Sequence, residues 1–451
     1  MARKISTYVC QNCGSETSQY FGKCMHCNEW NTIIEEQKSN TEKKSIIKSE
    51  IQSKSFDQIN IPNIHRIKTG FEEFDRVLGG GFVNGSVVLL GGEPGIGKST
   101  LILQASAKIS LNAEVLYITA EESLEQVKMR WERLNQSSSK LKILSETNLS
   151  SIISEIRRSP SALVIVDSIQ AIYSDELESS AGSVSQVRSC SSELQKMAKE
   201  LNFALLIIGH ITKEGSLAGP KTLEHLVDVV MSFEGDQIAS HRLLRSLKNR
   251  FGPTKELGIF EMIHEGLKEV KNPSSSFTNH ENISGVATTI TNEGTRSFAV
   301  DIQALVNKSF YNNPRRTTTG VNLNRLHQIL AVIEKHLKFK MSEHDCYLAT
   351  AGGFAINDPC SDLGVAISII SSLQNNPPME DCTFIGEIGL SGQVRQSSQI
   401  KSKIEESIRL QFKNIMVPKM EDKLKSKYQK SINIIEIKDI KEAINISLKK
   451  N

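Results

Sequence analysis

Five short apolar runs recur through the middle of the chain: Val87–Leu90, Val115–Ile118, Leu163–Val166, Ala204–Ile208 and Val229–Phe233. None alternates apolar with polar, so each reads as a strand buried on both faces. Helical stretches separate them, the first at Thr100–Lys108. Apolar strands alternating with helices predict a parallel sheet covered on both sides. Ahead of the first strand, residues 69–81 combine a short helix with a glycine-rich turn. After the last, Lys271-Asn272-Pro273-Ser274-Ser275-Ser276 breaks the pattern and marks a boundary. Residues 283–445 resume it, with strand-like runs at Gly285–Ile290 and Phe298–Ala304 and helices at Arg325–His336, Leu363–Ser372 and Ile400–Leu410. Residues 31–60 are polar, rich in Ser, Lys, Glu and Gln, and read as a linker. The expected order is a small module at 1–35, a linker at 36–60, an α/β domain at 61–273 and a second α/β or α+β domain at 274–451.

A length of 451 residues suits about three domains. The net charge of +3 is too small to argue for a nucleic-acid partner. No apolar run approaches the roughly 20 residues of a membrane-spanning helix. Met1–Tyr8 carries basic residues with no apolar stretch behind them, unlike a secretory signal. A cytoplasmic protein without membrane attachment is expected. Its eight cysteines would then be reduced, a setting in which thiols bind metal more often than they pair.

Four of the eight fall as Cys10-x2-Cys13 and Cys24-x2-Cys27, ten residues apart. Two such pairs wrap one tetrahedral ion, and Zn²⁺ suits four thiolates. A module this short cannot bury a core, so metal binding would supply its folding energy. Two disulfides or a redox C-x-x-C are the competing readings, and compartment and doubled spacing count against both. His26 reads as a bystander and the site as closed, hence structural. Cys190, Cys346, Cys360 and Cys382 show no ligand spacing and read as packing residues.

Directly after the first apolar run stands Gly92-Glu93-Pro94-Gly95-Ile96-Gly97-Lys98-Ser99, with Thr100 following. It fits G-x-x-x-x-G-K-[ST] in the strand–loop–helix context that motif needs. The glycines let backbone N–H groups turn inward around phosphate oxygens, and the new helix points its positive end there. Lys98 would reach the outer phosphates of ATP, and the Ser99 hydroxyl would hold Mg²⁺. A chance glycine turn is the bland alternative. Ligands of parallel sheets sit beyond the C-terminal strand ends, so those ends form a site list. Asp167 closes Leu163–Val166 in the Walker B manner and would hold Mg²⁺ through water. Glu121 and Glu122 follow Val115–Ile118, and one of them could deprotonate the attacking water. His210 or its neighbours follow Ala204–Ile208 and would lie near the γ-phosphate. Each alone reads equally as a solvated loop end; together, behind a phosphate loop, they read as a hydrolase site.

Arg242, Arg245, Lys248, Arg250 and Lys255 fall in a window without an acid, the clearest basic concentration in the chain. They could meet DNA phosphates or the nucleotide of a neighbouring subunit. A solvated face is the alternative.

The four-cysteine module, the phosphate loop and Lys248-Asn249-Arg250-Phe251-Gly252 occur together in one order. That combination resembles the RadA (Sms) family of bacterial DNA repair proteins, whose signature is this pentapeptide, over essentially the whole chain. The resemblance implies an α/β fold: a RecA-like P-loop parallel-sheet core, an N-terminal zinc finger and a C-terminal Lon-protease-like domain. It gives the nucleotide loop to Gly92–Thr100, water activation to Glu121 rather than Glu122, and the Walker B role to Asp167. It ties Lys248 and Arg250 to nucleotide and DNA transactions. It further implies a homo-oligomeric, hexameric ring motor on single-stranded DNA. Such a motor would work alongside RecA and extend heteroduplex at branched recombination intermediates by branch migration.

One departure matters. Asp358-Pro359-Cys360-Ser361-Asp362-Leu363-Gly364 stands where the protease has Gly-Pro-Ser-Ala-Gly, so the nucleophile's position reads Asp362. Glu387–Val394 matches the strand that follows, and Lys401 falls near the protease's lysine. A carboxylate cannot replace the hydroxyl of a Ser-Lys dyad, and Ser361 would point elsewhere. No peptidase activity is expected. Two other readings compete: an ATP-dependent protease, weakened by the missing serine and the absent Lon-type AAA architecture, and a non-catalytic ATP-binding scaffold, weakened by Glu121 and Asp167 together. The zinc module could bind DNA or a partner such as RecA.

Overall fold

A computed structural model describes residues 6–10, 15–37, 65–137, 140–210, 222–235, 241–254, 256–278, 282–310, 313–396 and 399–448. The chain divides into two compact units, residues 1–270 and 271–451.

The N-terminal module is a three-stranded antiparallel sheet with Ser6–Cys10 between Glu16–Thr17 and Ile33–Gln37. Among the described residues its apolar cluster is Cys10, Cys24 and Ile33, with Tyr8 and Cys27 packed against them. So small a core needs a staple to be stable.

The sheet of the first unit has nine strands: β1 Val87–Gly92, β2 Val115–Thr119, β3 Leu141–Ser145, β4 Leu163–Asp167, β5 Ala204–His210, β6 Val229–Glu234, β7 His241–Asn249, β8 Leu257–Ile263 and β9 Gly266–Glu269. Their order across the sheet is β9-β8-β7-β6-β1-β5-β4-β2-β3. From β6 to β3 every pairing is parallel. From β6 to β9 the chain returns antiparallel. The five expected strands are therefore all present and parallel, and β1 lies between β6 and β5, at the centre of the nine-stranded order.

Two apolar layers clamp this sheet. On one face Val88, Leu90, Tyr117 and Ile165 meet helices α1 (Glu72–Leu78) and α2 (Lys98–Ser110) through Phe74, Leu101 and Leu103, with Phe260 and Leu267 from the hairpin strands. On the other, Leu89, Ile118 and Val166 meet α4 (Leu149–Arg158) and α5 (Val184–Leu201) through Ile152, Ile156, Val187 and Leu194. Helix α3 (Leu124–Arg133), which adds Val127 to the first layer, starts with a capping box, Ser123 and Gln126 satisfying each other's backbone N–H groups. Cys190 is buried in the second layer, and desolvation pushes its thiol up to about 12, as expected of a packing residue.

In the second unit, seven strands run in the order Arg316–Thr319, His344–Thr350, Arg296–Lys308, Val286–Glu293, Cys382–Phe384, Asn414–Pro418, Asn433–Ile437. The middle pairings, Arg296–Lys308 with its two neighbours, are antiparallel and the outer ones parallel. The helix Asp362–Gln374 is buried along most of its length. The expected helix at Arg325 starts earlier, at Leu323, because the Asn322 side chain accepts from the Asn324 and Arg325 backbone N–H groups. Cys346, Cys360 and Cys382 are all buried. No helix among the described residues is long and apolar enough to cross a membrane.

Candidate ATPase site and metal centre

The phosphate loop joins the C-terminal end of β1 to α2, at the point where the parallel strands diverge to either side. Ligands of such sheets bind there. Gly97 takes φ of 110°, a left-handed conformation that favours glycine, and a Cβ there would lie 2.7 Å from Met262 Cε. It is the N-cap of α2 and makes no side-chain capping bond, so the first N–H groups of the helix face the loop. Lys98 is buried and donates to the Gly92 carbonyl at 2.8 Å and the Glu93 carbonyl at 2.9 Å. Burial pushes its pKa down, and the Asp167 and Glu121 carboxylates oppose that. Ile96 and Thr100 are buried, while Glu93, Pro94 and Gly95 are exposed.

Asp167 ends β4 and is hydrogen-bonded to Ser99. Tyr117 of β2 donates to Asp167 Oδ2 at 2.5 Å. Burial raises the Asp167 pKa, and those two hydroxyls pull it back. Glu121 and Glu122 follow β2, whose Thr119 is in register with Asp167. The two acids differ in their partners. Arg130 grips Glu122 with two bonds, 2.7 and 2.6 Å. Glu121 instead accepts from Ser168, the residue after Asp167. Lys98, Ser99, Glu121 and Asp167 thus come together at one end of the sheet. The backbone of His210 ends β5 opposite Gly92.

Mg²⁺ fits this donor set: hard oxygen ligands, a hydroxyl and a carboxylate, beside backbone that can cradle phosphate. When bound, the ion would neutralise charge on the outer phosphates. Zn²⁺ fits the module. The Sγ atoms of Cys10, Cys24 and Cys27 lie within 4.8 Å of one another, and Cys10 and Cys27 are 3.7 Å apart. Tetrahedral Zn–S bonds of about 2.3 Å require sulfurs roughly 3.8 Å apart. Cys13, expected as the fourth ligand, lies outside the described residues.

The basic run does not gather at this loop. Arg242, Arg245 and Lys248 lie on β7, which is antiparallel to β6, and Arg250 follows its end, so these four spread along the length of the sheet. Arg242 lies at the loop end and donates to the Ile96 carbonyl at 3.3 Å. Arg245 pairs with Glu234 at 3.2 Å. Lys248 donates to the carbonyls of Glu224 at 2.5 Å and Val227 at 2.8 Å. Arg250 pairs with Asp228 at 3.1 Å, and Asp228 also accepts from the Val87 N–H at 3.0 Å. Lys248 and Arg250, expected to meet DNA or the nucleotide of a neighbouring subunit, sit toward the Val87 end of β1. Five residues, roughly 16 Å of strand, separate Val87 from Gly92. They cannot reach the loop of their own chain. Lys255 lies outside the described residues.

The rest of the pentapeptide is structural. Asn249 donates to the Val77 carbonyl at 3.2 Å, and the Phe251 carbonyl accepts from Arg66 at 2.8 Å. Gly252 packs so closely on Gly79 that a Cβ there would lie 2.8 Å from the Gly79 Cα. One site residue gave no sequence signal: Tyr117, because an apolar strand hides a hydroxyl. Arg242 was signalled only as part of the basic run, and it is the strand register that brings it to the loop of its own chain.

In the second unit, Asp362 is buried and paired with Arg325 through both guanidinium arms, and it accepts from the Ile388 N–H at 3.0 Å. Ser361 is buried and donates to the Asp358 carbonyl at 2.7 Å. The expected lysine is a correction. Lys401 faces solvent, while Lys403, two residues on along the same helix, is fully buried and paired with Asp358. A two-residue step on a helix turns the side chain by about 200°, and spacing alone could not choose the face.

Three families match parts of the chain: an AAA domain at residues 56–216, a rubredoxin metal binding domain at 8–35, and subunit ChlI of Mg-chelatase at 316–421. Similar proteins span all of it. DNA repair protein RadA of Bacillus subtilis is 44% identical over 457 residues, covering 99% of this chain and 100% of that protein. DNA repair protein RadA of Listeria monocytogenes is 42% identical, covering 99% of each. DNA repair protein RadA of Synechocystis is 42% identical, covering 100% of this chain and 96% of that one. With relatives 42–44% identical along its whole length, and a P-loop parallel sheet behind a cysteine-built zinc ribbon, the chain belongs to the family of the DNA repair protein RadA.

Proposed function

We propose that the protein is a DNA-dependent ATPase of recombinational repair. In this reading it is a ring motor on single-stranded DNA that promotes branch migration of recombination intermediates together with RecA. Lys98 stabilises charge on the transferring phosphoryl group, Ser99 and Asp167 hold Mg²⁺, and Glu121 activates the attacking water. Glu122 is left to structure by its grip on Arg130.

The observation that carries the ring is the position of Arg250. Its side chain is 57% exposed, at the opposite end of the sheet from the loop of its own chain. A cation so placed serves the nucleotide of a neighbouring subunit, as an arginine finger supplied in trans. Lys248 holds the carbonyls of Glu224 and Val227 beside it. Full membership of a family of DNA repair proteins supports the DNA partner.

In the second unit, the described residues around the position that matches the protease's serine offer no free nucleophile. Asp362 is bound by Arg325, Ser361 is tied to a backbone carbonyl, and Lys403 is held by Asp358. Its role in this reading is to build the ring or hold DNA. The test is ATP hydrolysis with and without single-stranded DNA. Stimulation supports the motor, and an unchanged rate argues against it.

A further inference from the structure

Tyr117 is the largest fully buried side chain of the first unit's core. It faces Ile165 in the β2–β4 register, so Asp167, two residues on, is its diagonal neighbour on the same face of the sheet. That face is also the one α2 covers, and Ser99 approaches Asp167 from α2. Packing alone would be met by phenylalanine. The hydroxyl is present, at 2.5 Å from Asp167 Oδ2, and a buried phenol needs such a partner. Asp167 is thus held by two hydroxyls, one from the strand at its side and one from the helix of the phosphate loop. We propose that Tyr117 is a positioning residue for the hydrolytic site: its O–H fixes the Asp167 carboxylate in the orientation that receives the hydrated divalent cation of the nucleotide. This rests on the ATPase reading above.

The chemistry follows from burial. A carboxylate withdrawn from water loses the hydrogen bonds that would fix its orientation, and one strong O–H donor restores that hold. The phenol is the donor in this pair, because an ionised carboxylate offers only acceptors. Partners of this kind around metal-binding carboxylates typically contribute about 10–100-fold in metal affinity or activity.

The test uses the full chain carrying Tyr117→Phe, which keeps the ring and its packing. Mn²⁺ is titrated into protein with a non-hydrolysable ATP analogue, and free Mn²⁺ is read by electron paramagnetic resonance. The dissociation constant for Mn²⁺ is expected to rise about tenfold, with binding of a fluorescent ATP analogue in EDTA unchanged. In turnover, kcat falls and the Mg²⁺ needed for half-maximal rate rises, while KM for ATP at saturating Mg²⁺ stays within twofold. Mn²⁺ affinity equal to the parent's overturns the proposal, even if turnover drops. Where Tyr117→Phe also lowers the melting temperature, Asp167→Asn supplies the second comparison. Adding Tyr117→Phe to Asp167→Asn is expected to leave Mn²⁺ affinity unchanged, and a further loss there would show that the tyrosine acts through packing. If the parent binds Mn²⁺ with the analogue but does not hydrolyse ATP, the hydrolase reading fails while the Mn²⁺ comparison still decides the role of Tyr117.

Discussion

The Lys98 ammonium spans the carbonyls of Gly92 and Glu93, 2.8 and 2.9 Å away, so the loop is closed on its own cation. Those carbonyls stand in for phosphate oxygens as acceptors. Lys98→Ala should lower ATP turnover at least about 100-fold, because a preorganised charge at the transition state is lost. Melting temperature should fall only slightly, since the apolar layers around α2 do not depend on Lys98. Phosphate release and circular dichroism check both.

The two acids after β2 should separate cleanly. Glu121→Gln removes the general base and is expected to lower kcat by about 10²–10⁴ while nucleotide still binds. Glu122→Gln weakens a part-exposed pair with Arg130 and should change kcat less than about tenfold. Single-turnover hydrolysis beside fluorescent-nucleotide binding distinguishes them, and equal losses would undo the assignment.

Arg250 offers a test of action between subunits. Arg250→Ala should cut turnover by about 10³ with nucleotide affinity retained. Mixing it with Lys98→Ala creates interfaces that carry an intact loop facing an intact Arg250. The mixture should therefore exceed the sum of the two separate rates. A mixture no more active than that sum would place Arg250 in a structural role, as the partner of Asp228.

The zinc module should come apart by itself. Cys24→Ala, or a strong chelator, is expected to release the metal and unfold residues 6–37, because its cluster of Cys10, Cys24 and Ile33 is too small to hold without the ion. Acidification acts the same way, since thiolates must be deprotonated to bind. DNA-free ATPase should persist, with metal content by atomic absorption as the readout.

In the second unit, Asp362→Ala strands Arg325. The cost should be about 2 kcal/mol, below the roughly 3–5 kcal/mol of a fully buried pair, because the Arg325 side chain keeps 29% of its exposure. The urea midpoint of this unit reads it. Asp362→Ser should not create peptidase activity on casein, because the buried lysine is engaged by Asp358.

Much of this fold was legible in the chain. Residues Val87–Leu90 and their four companion runs are apolar on both faces, and only a parallel sheet covered by helices buries such strands. The phosphate loop followed from spacing, because its chemistry is local. What escaped was non-local. β7 reads as a basic run, since Arg242, Arg245 and Lys248 outweigh its apolar positions, and nothing local reveals that antiparallel pairing sends Arg242 to the loop and Arg250 to the far end. β3, with no fully buried residue, lacks the apolar run that marked its neighbours. Lys403 could not be told from Lys401 without the helix phase. Tyr117 shows the same limit from the other side, because an apolar context conceals a hydroxyl that meets Asp167.

The most direct measurement is steady-state ATP turnover of the metal-replete, full-length protein, with and without a single-stranded oligonucleotide, beside Lys98→Ala. The account predicts turnover that rises with the oligonucleotide, falls off with added salt, and is absent in the variant. Turnover at background in both proteins, or a parent rate indifferent to DNA, would contradict it.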